Sequence, residues 1–179
     1  MDDPDVPRGV TTLGSVVEVH FDGACEPPKG GGVATFGYRI EGAGYLREEC
    51  GLAVRPYSEH ATNNVAEYVA ATRALEWLVD QRYSGDVVLL GDSQLVIRQM
   101  LGEYRVRAVH LRAYQERLRE VAHRFRRVEF RWVPREENQR ADTLSKQALR
   151  QAGVMPGRHR PTEPRIVVSD AGPHEGRSR

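Results

Sequence analysis

Cysteine is nearly absent: Cys25 and Cys50 are the only two in 179 residues, and neither lies in a CxxC spacing. That excludes a disulfide framework and a thiolate zinc site, and leaves two reduced thiols. Long apolar runs are missing as well. No stretch approaches the roughly 20 residues of a membrane span, and the opening MDDPDVPRGVTTLGS has neither a basic start nor an apolar core. The expectation is a soluble, cytoplasmic monomer with no membrane partner. An excess of one charge is the third absence, since 26 Lys and Arg face 25 Asp and Glu for a net +1. Any face for a polyanion must therefore come from local clustering rather than from the field of the whole chain. There is no internal repeat, and the length suits one domain with room for tails.

What is present falls into three parts. Residues 1–14 are polar and aperiodic and read as a disordered tail. Residues 151–179 are rich in Gly, Pro, Arg and His and read as a second flexible tail, with an apolar island at 165–169 that can dock on the domain. Between them, 15–150 form the folded domain. Residues 16–24 alternate as a strand, with Val17, Val19 and Phe21 on one side and Glu18, His20 and Asp22 on the other. The Gly-rich KGGG turn leads into a strand at 33–41, and Gly42 to Gly44 turn the chain into another at 45–54, which together make an antiparallel meander. Ala66, Ala70, Ala74 and Trp77 stripe a helix over 62–82. The run at 86–90 is apolar on both faces and predicts a buried, parallel strand. Helices at 93–101 and 109–125, a strand at 128–133 and a helix at 138–150 complete a mixed α/β sheet covered by helices.

Four acids sit at the ends of these elements. Asp22 follows the first strand and, alone, reads as a turn residue. Glu67 stands one turn into a helix whose following positions Ala70, Ala71 and Ala74 form a small-residue face, so its charge needs either a cation or a place at the rim of the sheet. Asp92 ends the buried strand where an Asp or Ser N-cap is routine, but also where open α/β sheets place their ligands. Asp142 suits the dipole of the last helix. Each has an ordinary structural explanation. Together at neighbouring element ends they would repel unless a cation sits among them, and the immediate motifs of Asp22 and Asp92 contain no Lys or Arg. Hard oxygen ligands of this kind suit Mg²⁺ or Mn²⁺.

Asp22-Gly23-Ala24-Cys25 with the KGGG turn, Thr62-Asn63-Asn64-Val65-Ala66-Glu67, Gly91-Asp92-Ser93-Gln94, and the run from Trp132 through Asn138 to Asp142 occur in the order of the signatures of the ribonuclease HI family, which the chain resembles over about residues 16–150. The resemblance implies an RNase H-like α/β fold: a five-stranded mixed sheet, order 3-2-1-4-5, with helices on both faces. It also implies a metal-dependent endoribonuclease that hydrolyses the RNA strand of RNA–DNA hybrids by two-metal-ion catalysis, giving 5′-phosphate and 3′-hydroxyl ends. By the same carry-over, Asp22 bridges two ions, Glu67 and Asp92 complete one site, and Asp142 completes the site that activates water.

The expected substrate face consists of the main chain at Gly23, Ala24 and Cys25 and the amides of Asn63, Asn64, Gln94 and Asn138. Such amides suit 2′-hydroxyls and minor-groove edges, and Asn63 or Asn64 also suits a helix cap. Glu103-Tyr104-Arg105-Val106-Arg107 with Arg112 resembles the family's duplex-gripping segment in a shorter, less basic form. The chain departs from many relatives in lacking a His on a Gly-rich loop before the last acid, where it has the short loop Pro134-Arg135-Glu136-Glu137. Arg135 is nearest the missing His and cannot act as a base, but it can stabilise phosphate charge or escort product. His20 suits a polar core position. The His-less loop resembles the archaeal-type subset of the family, some of which also cut RNA–RNA duplexes. The competing expectation is a non-catalytic hybrid- or duplex-binding module of the same fold, which retention of all four acids argues against.

Overall fold

The computed structural model describes residues 16–28 and 30–156. The expected N-terminal tail through residue 14, Lys29 of the Gly-rich turn and the 165–169 island lie outside the described residues. The elements run β1 (Val17–Glu26), β2 (Val33–Gly42), β3 (Tyr45–Leu52), α1 (Asn63–Asp80), β4 (Asp86–Gly91), α2 (Gln94–Met100), α3 (Val109–Ala122), β5 (Arg127–Trp132), a one-turn 3-10 helix (Arg135–Glu137) and α4 (Gln139–Gln151). The strands form one sheet in the order β3-β2-β1-β4-β5. The meander β1-β2-β3 is antiparallel, whereas β1, β4 and β5 run parallel.

Side-chain alternation assigns each face of the sheet to different helices. Val17, Val19 and Phe21 are fully buried on the β1 face that meets α1, and the stripe Ala66, Ala70, Ala74 and Leu78 of α1 is fully buried against them. Helix α3 packs on α1, while α4 crosses β1, β2 and β3 on the opposite face. Strand β4 is buried on both sides: Val87 and Leu89 join the main core, and Val88 and Leu90 form a small cluster with Val133 on the other face. This matches the reading of an apolar run without alternation as a central parallel strand. No described helix is long and apolar enough to cross a membrane.

Two glycines let the helices approach the sheet closely. A Cβ at Gly23 would lie 2.8 Å from Ala66 Cβ in α1, and one at Gly37 would lie 2.7 Å from Leu144 Cβ and 2.8 Å from the Ala141 carbonyl in α4. Asp22 pairs across the ladder with Gly37, and Gly23 with Phe36, so the two close approaches occur on opposite faces at neighbouring positions of β1. Both helices are thereby drawn down on either side of Asp22.

The structure places that residue differently from the expectation of a strand end. β1 pairs with β4 only from Val17↔Val87 to His20↔Leu90, yet continues along β2 to Glu26↔Val33. Asp22 therefore sits mid-strand, two residues beyond the point where β1 and β4 part. The helix expected over 109–125 also stops early, at Ala122, because the chain turns so that Phe125 buries its ring near Tyr83, centroids 6.4 Å apart.

Replacing a strand glycine by alanine ordinarily gains from lower chain entropy, but at Gly37 the added methyl has no room. Gly37→Ala should lower stability by about 1–3 kcal/mol in urea unfolding followed by circular dichroism. An unchanged midpoint would show that α4 can lift from the sheet without cost.

Candidate active site

The parting of β1 and β4 leaves the Phe21 carbonyl without a ladder partner, and Asn138 fills the gap. Its Nδ2 donates to Phe21 O at 2.9 Å and reaches Asp92 Oδ1 at 3.5 Å, while its Oδ1 lies 3.3 Å from His20 Nδ1. Asn138 stands at the N-cap position of α4 but makes no capping bond with its side chain, which is spent between the strands instead. Asn138 is 0 % exposed, so it does not belong with the amides on an open substrate face as the sequence suggested. Its side chain reaches one acid, Asp92, and the strand backbone. His20, expected at a polar core position, is half-buried beside Asn138.

Local capping decides which polar groups are free. Thr62, not either asparagine, caps α1, its Oγ1 accepting from Val65 N at 3.2 Å. Asn63 and Asn64 are therefore not needed as caps. Ser93, not Asp92, caps α2 by accepting from Val96 N at 3.4 Å. Asp92 is thus released from the capping role, and its main-chain carbonyl is held by Trp132 Nε1–H at 3.1 Å.

Asp22 from β1, Glu67 from α1 and Asp92 from the end of β4 each direct a carboxylate oxygen to one place, and these oxygens lie within 4.8 Å of one another. They line a cleft of about 430 Å³ with Asn63, Ser93, Arg135, Asp142, Lys146 and the main-chain run from Gly23 to Glu26. Glu67 is 4 % exposed, and its Oε2 has no hydrogen-bond partner. Burial, then the charges of Asp22 and Asp92, push its carboxyl well above the usual range, with only the Gly23 N–H and the charge of Arg135 opposing. Asp22 behaves similarly. Burial raises its pKa to about 7, with Asp92 and Asp142 adding to the rise, although the Ser145 hydroxyl donates to Asp22 Oδ2 and pulls the other way.

Asp142 is held apart from this trio. Arg135 Nη2 meets its Oδ1 at 2.6 Å and Lys146 Nζ meets its Oδ2 at 2.6 Å. Burial opposes, but the two cations together hold its carboxyl below the ordinary carboxylate range. The cations that the motifs around Asp22 and Asp92 lack are thus supplied by the last helix and the turn before it.

A family model described as reverse transcriptase-like matches residues 42–148. The chain is 37% identical over 137 residues to a ribonuclease HI of Halobacterium salinarum, covering 76% of this chain and 65% of that protein. A crystal structure of RNase H1 from the same archaeon superposes with a TM-score of 0.67 at 34% identity, covering 76% of this chain and 98% of the other. The chain belongs to the ribonuclease HI family. Two further members resemble it in structure. The N-terminal RNase H domain of a Mycobacterium tuberculosis protein has a TM-score of 0.69 at 29% identity, covering 78% and 97% of the two chains. LC11-RNase H1, solved in complex with an RNA/DNA hybrid, has 0.65 at 30%, covering 78% and 99%. The chain spans 65% of the length of the Halobacterium relative and 24% of a full-length bifunctional mycobacterial relative that it matches over 89 residues.

In this ribonuclease HI fold the residues expected at the substrate face separate. Gly23, Ala24, Cys25 and Asn63 line the acidic cleft, and Cys25 is tied down by its thiol donating to Ala61 O at 3.1 Å. Asn64 instead lines a neighbouring groove with Tyr104, Arg105 and Arg107. Gln94 is exposed at the start of α2. Ser145 and Lys146 were missed by the motif reading. Their signal was present, since positions three and four after Asp142 share its helix face.

A carboxyl raised in the folded state binds protons more tightly there than in the unfolded chain, so its ionisation destabilises the fold. For Asp22, with an ordinary value of 3.8 and a folded value of about 7, the metal-free protein should lose stability as pH rises from about 4 to 7. Asp22→Asn should raise the Tm at pH 7.5 in the presence of EDTA and leave it nearly unchanged at pH 4. An equal Tm for both proteins at both pH values would contradict the buried, repelled state of this carboxyl.

Proposed function

We propose that the protein is a metal-dependent endoribonuclease that hydrolyses the RNA strand of RNA–DNA hybrids. The observation that carries this is the convergence of Asp22, Glu67 and Asp92 around a buried oxygen without a partner. An unpaired buried oxygen beside two other carboxylates is costly, and a hard divalent cation is the partner that suits an all-oxygen donor set. Mg²⁺ or Mn²⁺ fits these residues. Asp22, Glu67 and Asp92 would hold one ion, and Asp22 with Asp142 a second. When bound, such ions supply charge to activate water and to stabilise a leaving 3′-oxygen, which would give 5′-phosphate and 3′-hydroxyl products.

The chain's own groups do the remaining work. Asn63 offers an amide at the cleft, and the main chain at Gly23 and Ala24 can approach a sugar closely; both suit a 2′-hydroxyl. Asn64 with Tyr104, Arg105 and Arg107 would follow the duplex away from the cut. Arg135 is two-thirds exposed on its one-turn helix and keeps its charge at any working pH, so it can leave Asp142 for a phosphate but cannot take a proton. The hybrid bound by LC11-RNase H1 supports the choice of substrate. Slower cleavage of RNA–RNA duplexes belongs to the same reading, because the short loop with Arg135 in place of a histidine resembles the archaeal-type subset, some of which cut such duplexes. A non-catalytic binding module would have no use for three mutually repelling acids held at one point.

Asp92→Asn should reduce cleavage of an end-labelled RNA–DNA hybrid in Mg²⁺ or Mn²⁺ by at least about 10³-fold, while gel-shift affinity in EDTA stays within a few-fold of wild type. Wild-type protein should leave DNA–DNA intact. Wild-type turnover in the variant at saturating metal would remove Asp92 from the site, and a wild-type protein that binds the hybrid without cutting it would leave only the binding role.

A further inference from the structure

We propose that Lys146 is a positioning residue that sets how strongly the Asp142 side of the cleft holds a divalent ion, an inference that rests on the metal-dependent reading above. An acid followed four residues later by a lysine is ordinarily a surface helix pair worth little. This pair is different in placement. The Asp142 side chain is 16 % exposed, and both residues line the cleft that holds the other three acids. Both oxygens of Asp142 are occupied, Oδ1 by Arg135 and Oδ2 by Lys146, so an ion can reach this carboxylate only by displacing a cation or by sharing an oxygen with one.

The two cations are unequal. Arg135 is 66 % exposed and sits on a one-turn helix outside α4. Lys146 is 34 % exposed and fixed on the same helix face as Asp142. Arg135 is therefore the group that swings away, while Lys146 keeps Oδ2 and leaves Oδ1 turned to the cleft. The residue type supports this division. The chain contains 24 arginines and two lysines, Lys29 and Lys146. An ammonium is a compact point charge that can share a carboxylate with an ion, whereas a guanidinium fork tends to claim both oxygens. A retained positive charge beside Asp142 weakens the hold on the incoming ion, so that the ion can be taken up and released in each cycle.

The test is calorimetric titration of the full-length protein with Mn²⁺ in the absence of nucleic acid, repeated for Lys146→Met and Lys146→Arg, with circular dichroism to confirm that each variant is folded. Losing one unit charge at this range should tighten the weaker Mn²⁺ event by roughly tenfold in Lys146→Met. Lys146→Arg should not tighten Mn²⁺ and should weaken it, since the fork keeps the charge and claims more of the Asp142 carboxylate. Hybrid cleavage by Lys146→Met should reach its maximum at a correspondingly lower Mn²⁺ concentration and with a lower kcat. An unchanged or weakened Mn²⁺ isotherm in a folded Lys146→Met, with wild-type protein binding normally, overturns the role given to Lys146 alone. If wild-type protein takes up no Mn²⁺ at millimolar concentration, the metal-dependent reading falls and this inference falls with it.

Discussion

The site depends on two carboxylates being taken out of water within reach of each other, Asp22 on one strand and Glu67 on the helix above it. Burial is the largest contribution to the raised proton affinity of both, ahead of repulsion from the neighbouring acids, Asp92 and Asp142 for Asp22 and Asp22 and Asp92 for Glu67. A fold selected for stability alone would not keep Glu67 Oε2 buried without a partner. The surrounding contacts reduce the cost without removing it: the Ser145 hydroxyl and the Gly23 N–H each support one acid, and Arg135 acts on both at a distance. What remains is a standing electrostatic demand for a cation, directed into an open cleft. Charge and function are coupled here, because the same ion that would relieve the repulsion would also activate the chemistry.

The backbone meets this demand through the place where β1 changes partners. Parallel pairing with β4 ends at His20 while antiparallel pairing with β2 continues, so a crevice opens beside Asp22 and in front of Asp92. Such a switch point is where open α/β sheets gather ligands. Opening a sheet exposes main-chain groups, and here the Asn138 amide closes the opening by serving the Phe21 carbonyl and Asp92 together. Because Asn138 also begins α4, the side chain that bridges the strands also fixes where Asp142, Ser145 and Lys146 stand. Two acids and their supporting groups are thereby set by one fully buried amide.

How much of this was legible in the sequence follows from the range of each interaction. The nine strands and α-helices of the described residues follow from local periodicity, the strand order was implied by the family resemblance, and the four acids follow from motif order. The positions that were misread are those decided by contacts distant in sequence. Asn138 looked like a surface amide because its partners are 117 and 46 residues away. Asp22 looked like a strand end because only the pairing of β1 with β2 carries the strand further. The capping choices at Thr62 and Ser93 were open locally, since Asn and Asp compete well for the same position. Lys146 follows Asp142 by four residues on α4 and could have been paired with it from helical geometry alone, whereas Arg135, seven residues before it, lies on a separate one-turn helix.

The arrangement of small residues explains why such a strained site is tolerated at all. Gly23 and Gly37 let α1 and α4 press onto β1 from opposite faces, and Ala66, Ala70 and Ala74 keep α1 close along its length. Close packing of fully buried Val17, Val19, Phe21, Leu75 and Leu89 contributes stability that the acids remove only in part. It also denies the carboxylates any room to relax apart, so their repulsion cannot be relieved by movement of the scaffold. A looser sheet would lower the electrostatic cost and with it the attraction for an ion. The tightness of the helix-to-sheet contacts is thus what converts four acids distributed over more than a hundred residues into a preorganised site.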